Sequence, residues 1–405
     1  MVKQLSKSPL SVLAGNNFSG RTDFLKSLAG DKEEKKHSYL YIGELPSNYI
    51  TGIFPTVKDE INLHRSKATL ETIEKVNTLF STYHFDKHLV KNPFTLSGGE
   101  QVILSLLNSL LLEPSILAID SALEQLNKEW REPLLNAIQD KAFNFSHIYL
   151  ADNRIPEYNL YNSEIVHIPF KEPNYKWKFE PVSMNYSLNE GEAAKLLQLK
   201  NLSFAYHKND PILENINIEL PPNEIYHLRG SNGVGKSTLA KILTGILKVG
   251  KGQLFAEGKE YNAYKYPGRL VGYSFQNPDE QLFSSTVEKE VLIPLKNEPE
   301  EYTKRREDFI HMFGLQNIRK SHPAELPFTM RKRISLAATL AMDRPWYILD
   351  EPTLGQDDIF IDFLMKLLAD LSEKGKGIII ISHSITFVKQ IKLKNIYLKN
   401  KLITF

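Results

Sequence analysis

One short stretch near the middle of the chain restricts the fold more than anything else in it. Residues 230–238 read GSNGVGKST, a mismatch-free fit to the phosphate-cradling pattern G-x-x-x-x-G-K-[ST]. Gly230, Gly233 and Gly235 let backbone N–H groups turn inward around an anion, with Ser231, Asn232 and Val234 completing the loop. Lys236 supplies a point charge for the β- and γ-phosphates, and Ser237 offers a hydroxyl to Mg²⁺. The flanks suit the motif, because EIYHLR at 224–229 reads as a strand and the segment opening at Thr238 reads as a helix. A pyrophosphate would therefore meet a helix N-terminus, where unpaired N–H groups and the dipole both favour negative charge.

The 405 residues are enough for two or three domains with real cores. Lysine and arginine number 50 against 48 acidic residues, so the balance makes no case for a nucleic-acid partner. Without cysteine there can be no disulfide or thiolate metal site, which fits a reducing compartment. No N-terminal apolar run predicts a signal peptide. The most apolar stretch, 102–112, meets Glu113 and Pro114 well before the roughly 20 residues of a membrane span. The expectation is a chain that reaches a membrane only through partner chains.

The chain also repeats itself. Residues 15–23, GNNFSGRTD, are a variant of the later loop, with Gly15, Asn16 and Gly20 as its turn residues, Arg21 where lysine is expected and Thr22 where serine is. Arginine keeps the charge but is bulkier and forked, so phosphate binding is plausible here and efficient hydrolysis is not. A plain glycine turn is the other reading of this loop. Leu96, Ser97, Gly98, Gly99 and Glu100 then precede an apolar helical run, presenting a hydroxyl and bare N–H groups at a helix start. Asp120 closes the buried-strand pattern ILAID 24 residues after Leu96. A carboxylate at such a strand end is where P-loop proteins hold Mg²⁺. The same interval of 24 separates Leu326, in LPFTMRKR, from Asp350 at the end of WYILD. Ordered recurrence of loop, pre-strand motif and strand-end aspartate marks a tandem repeat.

These motifs resemble the ATP-binding cassette family over nearly the whole chain. The resemblance implies an α/β fold with two P-loop domains, each with a mainly parallel sheet core and a helical signature subdomain. It divides the chain into 1–152, an aromatic-rich connector at 153–195, and 196–405. In that family each nucleotide is clamped between one domain's loop and strand carboxylates and the other domain's Leu-Ser-Gly-Gly signature. The second half's loop, with Gln276, Asp350, Glu351 and His383, would then pair with Ser97, Gly98 and Gly99, and Glu100 follows them. The first half's loop would pair with Pro327, Phe328 and Thr329, which lack the serine and the glycines. There Ser121 stands where a glutamate follows the aspartate, Glu44 lies near the expected glutamine, and Asp152 near the expected histidine. All the losses fall on one site, which implies a fixed intramolecular pair.

Phosphoryl transfer to water is mainly positioning and charge stabilisation. The expected roles are Lys236 on the phosphates, with Ser237, Asp350 and Gln276 around Mg²⁺. Glu351 would orient or deprotonate the attacking water and His383 would contact the γ-phosphate. Tyr206, ending the strand pattern LKNLSFAY, would stack on adenine, since a flat π-face suits a base. The first half has only 14 residues before its loop and cannot hold equivalent strands there. Between the halves, Tyr158, Tyr161, Phe170, Tyr175, Trp177, Phe179 and Tyr186 predict a partly ordered connector lying against a domain, and its prolines exclude a long helix.

Residues 274–283, SFQNPDEQLF, followed by TVEKEV, look like the Q-loop of energy-coupling-factor importers of vitamins and transition metals. The first half keeps a Thr-Val and acidic pattern at 56–60. This resemblance implies an ATPase subunit, peripheral on the cytoplasmic face, docked on an integral membrane coupling (T) protein that works with a small substrate-binding membrane (S) protein. The competing class is a soluble tandem cassette acting on ribosomes or nucleic acid. That class would be expected to keep both sites complete and to carry a basic linker.

Overall fold

The computed structural model describes residues 10–14, 20–28, 38–43, 49–96, 98–126, 128–139, 143, 145–152, 163–167, 194–207, 210–231, 233–292, 300–382 and 391–404. Gly15, Asn16, Glu44, Ser97, Asn232, His383 and the connector aromatics lie outside these residues. The chain divides into two compact units, Met1–Asn174 and Tyr175–Phe405.

The first unit runs β1 (Leu10–Ala14), α1 (Arg21–Leu28), β2 (Tyr39–Ile42), α2 (Val57–Arg65), α3 (Leu70–Thr82), α4 (Gly98–Leu111), β3 (Ile116–Asp120), α5 (Lys128–Ile138), β4 (His147–Ala151) and β5 (Ser163–His167). Its sheet is parallel throughout in the order β2-β3-β4-β1-β5. A parallel strand covered on both faces needs a continuous apolar run, and β1 and β3 are buried at every position. From Gly99 to Leu111 every residue of α4 but Gln101 is buried, so this helix is apolar nearly all round and sits inside the unit. Thr56 and Thr69 cap α2 and α3 by accepting from the backbone N–H three residues on.

One strand lies where the sequence was read as connector. The run SEIVH at 163–167 pairs in parallel with β1 and forms the sheet edge. Its β-branched pair, Ile165 and Val166, carried the strand signal beneath the prolines and aromatics around it.

The second unit opens with antiparallel strands β6 (Leu197–His207) and β7 (Asp210–Leu220), joined at the sheet edge by β9 (Lys251–Ala256) and β10 (Lys259–Glu260) in the order β10-β9-β6-β7. Its larger sheet takes β8 (Ile225–Arg229), β11 (Val271–Ser274), β12 (Trp346–Asp350), β13 (Gly377–Ile381), β14 (Lys394–Lys399) and β15 (Leu402–Thr404). The order is β11-β12-β13-β8-β14-β15, parallel except for the last hairpin. The helices are α6 (Lys236–Leu243), α7 (Val287–Val291), α8 (Glu300–Met312), α9 (Phe328–Ala341) and α10 (Asp358–Glu373).

The parallel cores of the two units share one strand order, with β2-β3-β4-β1-β5 matching β11-β12-β13-β8-β14. Among the described residues the first unit has no counterpart of the antiparallel sheet. In both sheets the strand preceding the glycine loop lies between the last two parallel strands to be added. That is the switch point of a doubly wound sheet, where a crevice opens beyond the strand ends. Packing is tight at the centre. A Cβ on Gly377 would stand 2.3 Å from the Trp346 ring, so β13 can start beside that tryptophan only with glycine. Among the described residues no helix is long and apolar enough to cross a membrane.

Candidate functional site

The glycine loop follows β8 directly. A Cβ on Gly230 would meet the Leu398 carbonyl oxygen at 2.4 Å, so the loop can leave β8 along this path only without a side chain. Gly235 takes φ +108°, in the left-handed region, and a Cβ there would lie 2.8 Å from Ile212. It stands immediately before α6 with no side-chain cap, which leaves the first N–H groups of that helix pointing into the loop. Lys236, first in the helix and nearly buried, donates from Nζ to the carbonyl oxygens of Gly230 (2.9 Å) and Ser231 (3.0 Å). Burial holds its ammonium below the ordinary lysine value, opposed by Glu351 and Asp350.

The strand carboxylates complete the floor of the crevice. Ser237 donates from Oγ to Asp350 Oδ2 at 2.8 Å, and the Tyr273 hydroxyl donates to the same oxygen at 2.9 Å. Glu351 follows in the left-handed region at φ 45°, with its backbone N–H donating to Ile381 O at 2.8 Å. Its Oε2 accepts from Ser382 Oγ at 2.9 Å. A non-glycine residue at such a φ costs of order 1–3 kcal/mol. Tyr206, next to last in β6, is half exposed, its hydroxyl 3.3 Å from Thr238 Oγ1 and its ring in a T-shaped contact with Phe204. Gln276 lies two residues beyond β11 and is part-buried. The structure thus brings together Lys236, Ser237, Asp350 and Glu351, and sets Tyr206 beside Thr238.

Tyr273 escaped the sequence reading, yet a signal existed. In the first unit Tyr41 donates to Asp120 Oδ2 at 2.8 Å, and each tyrosine stands three residues before the Gln276 or Glu44 position. Aligning the halves on Glu44 and Gln276 exposes the pair.

The first unit keeps the frame and changes the contents. Gly20 has φ +92° and α1 starts at the buried Arg21, whose Nη1 donates to the Asp152 carbonyl oxygen at 3.2 Å, with Thr22 next in the helix. Asp120 is buried, and Ser121 adopts φ 58° with its N–H donating to Ala151 O at 2.7 Å, the geometry of Glu351 without the carboxylate. One alignment needs correction. The ladders pair Asp120 with Ala151 and Asp350 with Ile381, so Asp152 corresponds to Ser382, and the position of His383 falls on Asn153. The spacing from the strand-end aspartates agrees, with 32 residues from Asp120 to Asp152 and 32 from Asp350 to Ser382.

At the head of α4, Gly98 and Gly99 begin the helix, and Glu100 is buried against His88, Nε2 to Oε1 3.1 Å. At the corresponding head of α9, Phe328 and Thr329 are both buried, and they pack against the Gly355 turn. Gln356 donates from Nε2 to the Thr329 carbonyl oxygen at 3.1 Å and accepts from Arg333 Nε at 2.9 Å. The residues that replace the two glycines are thus turned into their own unit.

Residues 213–354 match the family described as ABC transporter. The energy-coupling factor transporter ATP-binding protein EcfA of Methanocaldococcus jannaschii is 36% identical over 200 residues, covering 48% of this chain and 72% of EcfA. The chain belongs to the ATP-binding cassette family. As a cassette protein it is an ATPase, and its cofactors are ATP and Mg²⁺. An ABC transporter ATP-binding protein of Methanosarcina mazei is 27% identical over 400 residues, 92% of this chain and 78% of that relative. Among solved structures, cbiO1 of Clostridium perfringens, part of the ABC transporter complex cbiONQ, is 30% identical with a TM-score of 0.46, covering 52% of this chain and 88% of that one.

The second unit's residues fit what the cassette's cofactors require. Mg²⁺ prefers hard oxygen ligands and keeps several of its ligands as water and phosphate. The Ser237 hydroxyl and the Asp350 carboxylate, already within hydrogen-bond distance, are such a pair. Gly230 and Gly235 hold the loop on a path where a Cβ would clash with Leu398 and Ile212, and Lys236 turns its ammonium back onto the Gly230 carbonyl oxygen.

Proposed function

We propose that this cassette chain is a fused tandem ATPase subunit of an energy-coupling-factor-type importer of a vitamin or a metal ion. It would sit on the cytoplasmic face of the membrane, held by an integral membrane coupling protein that works with a small substrate-binding membrane protein. The observation that carries this reading is the segment after Gln276. Gln281 pins the loop by accepting from the Phe275 N–H (3.3 Å) and Ser335 Oγ (2.7 Å) and donating to Ser335 O (3.1 Å) and Thr339 Oγ1 (2.9 Å). Glu290, buried in α7, accepts from the N–H groups of Phe283 and Ser284. The Phe283 side chain is left 80% exposed on this fixed backbone. The first unit repeats the device. Thr56 caps α2 as Thr286 caps α7, Glu60 is buried and holds Thr51, and Ile53 is 76% exposed. Exposed apolar side chains on pinned loops suit docking onto partner chains.

In this reading hydrolysis belongs to one composite site. Lys236, Ser237, Thr238, Gln276, Asp350, Glu351 and His383 would work with Ser97, Gly98 and Gly99 of the other unit, and Glu351 would align the attacking water. The site built on Gly20, Arg21, Thr22 and Asp120 would bind nucleotide without efficient turnover. The match to the Methanosarcina relative across 92% of the chain supports a tandem arrangement.

Two measurements test the reading. Glu351→Gln should lower kcat by at least about a hundredfold while ATP still binds, and near-normal turnover would refute the assignment. The tagged chain purified from detergent-solubilised membranes of its host should carry integral membrane proteins in stoichiometric amounts. Ribosomal proteins or DNA in their place would overturn the importer.

A further inference from the structure

Lys332, in the fifth position of α9, is fully buried. A buried ammonium is tolerated only with its donors satisfied. Its Nζ donates to three backbone carbonyl oxygens, those of Phe275 (2.5 Å), Asp350 (2.7 Å) and Gln276 (3.2 Å). Three N–H donors thus meet three acceptors. Burial pushes the ammonium down to about 8, while Asp350 and Glu351 pull the other way.

The three acceptors belong to two segments that the sheet no longer joins. The ladder between β11 and β12 ends where Ser274 lies opposite Leu349. Beyond that point Phe275 and Gln276 leave in one loop, and the chain passes through Asp350 into Glu351 in another. Lys332 bridges them where the ladder stops.

We infer that Lys332 is a positioning residue for ATP hydrolysis, its ammonium fastening the backbone at Gln276 to the backbone at Asp350, so that the glutamine and both carboxylates keep one spacing. The inference rests on the ATPase reading of this unit. The first unit supplies the contrast. α4 stands before β3 by the same interval as α9 before β12, and the residue in the place of Lys332 is Val102, fully buried. A unit of this architecture therefore packs with an apolar residue there, and it is the unit that also lacks the second carboxylate. The charge goes with the catalytic residues, not with the fold. This also gives α9 a task independent of its altered signature residues, because the helix supports the carboxylates of its own unit.

The test uses the full chain with Lys332→Met, Lys332→Gln and Lys332→Arg, reading steady-state ATPase, equilibrium binding of ATP with Mg²⁺, and thermal melting. A shift of a reacting group by about 1 Å costs up to 10²-fold, so Lys332→Met should lower kcat roughly tenfold or more. KM and nucleotide affinity should stay within about twofold, because the phosphate cradle is untouched. Lys332→Gln, which keeps two N–H donors, should recover part of the loss, whereas Lys332→Arg, bulkier and forked at a fully buried place, should recover less. The inference is overturned by a Lys332→Met enzyme with wild-type kcat, or by kcat and affinity falling in step with the melting temperature. If Lys332→Met does not fold, Lys332→Gln carries the same reading, and failure of both to fold also overturns it. Glu351→Gln, assayed beside them, separates the two levels. If it retains turnover, the ATPase reading of the site fails, whereas a dead Glu351→Gln beside a fully active Lys332→Met refutes only the role of Lys332.

Discussion

Replacing Tyr273 with phenylalanine removes one hydroxyl and nothing else. The ring is nearly buried, and its phenol is raised well above the ordinary value, first by burial and then by the Asp350 charge, so it stays a neutral donor at every working pH. Asp350 Oδ2 accepts from both Tyr273 and Ser237, and losing the first leaves a buried carboxylate oxygen with one of its two observed donors. Hydrogen bonds to charged groups are worth about 1.5–3 kcal/mol. At 2–4 °C per kcal/mol for a unit of this size, Tyr273→Phe should lower the second unit's melting temperature by roughly 3–12 °C. Because the same carboxylate is placed to hold Mg²⁺, kcat should fall about tenfold. Tyr41→Phe is the internal control, since Tyr41 makes the matching bond to Asp120 at 2.8 Å in the first unit. It should destabilise that unit while leaving ATPase turnover within about twofold. Calorimetry and a steady-state phosphate-release assay on the two variants decide the matter. Equal loss of turnover in both would refute hydrolysis confined to the second unit, and full turnover in Tyr273→Phe would refute the role of Asp350 geometry.

His227 is buried, with Nε2 3.0 Å from Ser382 O, and burial holds its imidazole below the ordinary 6.5. The unfolded chain therefore binds the proton first on acidification, so stability should fall as pH drops below 6.5 and be insensitive to this group above it. His227→Gln should flatten that limb in pH-dependent melts of the second unit. Gly377→Ala forces a Cβ to within 2.3 Å of the Trp346 ring and should cost about 1–3 kcal/mol or more in denaturant unfolding. Ser97→Trp should damage turnover as severely as loss of Lys236, whereas Thr329→Ala, at a residue buried in its own unit, should do much less in the same ATPase assay.

Much of this was legible in local sequence. The loop at 230–238 needed only its glycines, and the buried strands WYILD and GIIII needed only their uninterrupted apolar runs. Strand β5 was hidden because four of its five residues are only half buried at a sheet edge, so the alternation that betrays a strand is weak. Lys332 was invisible for a different reason. Its partners are a backbone carbonyl triad, which leaves no trace in spacing.

The two units also separate what the fold needs from what hydrolysis needs. Strand order, the left-handed residue after the strand-end aspartate, the tyrosine bonded to that aspartate and the capped helix after the exposed loop are present in both. Ser121 shows that the left-handed turn survives without a catalytic carboxylate, so the strain at that position follows from how the chain leaves the strand. At the two sites themselves the differences are Arg21 against Lys236 and Ser121 against Glu351, groups that would meet phosphate, metal or water, and Val102 against Lys332 in the support behind them. Loss of a charge that serves only the reaction leaves the packing intact, whereas loss of a tyrosine donor leaves a buried carboxylate with one bond fewer in either unit. That difference in cost explains why the frame persists in the first unit after the reactive groups have changed. It also predicts that restoring the carboxylate alone, by Ser121→Glu, should leave total ATPase turnover within about twofold of wild type. A large gain would mean that the first unit's site lacks only this one group, and that Arg21 and Val102 are no obstacle to chemistry.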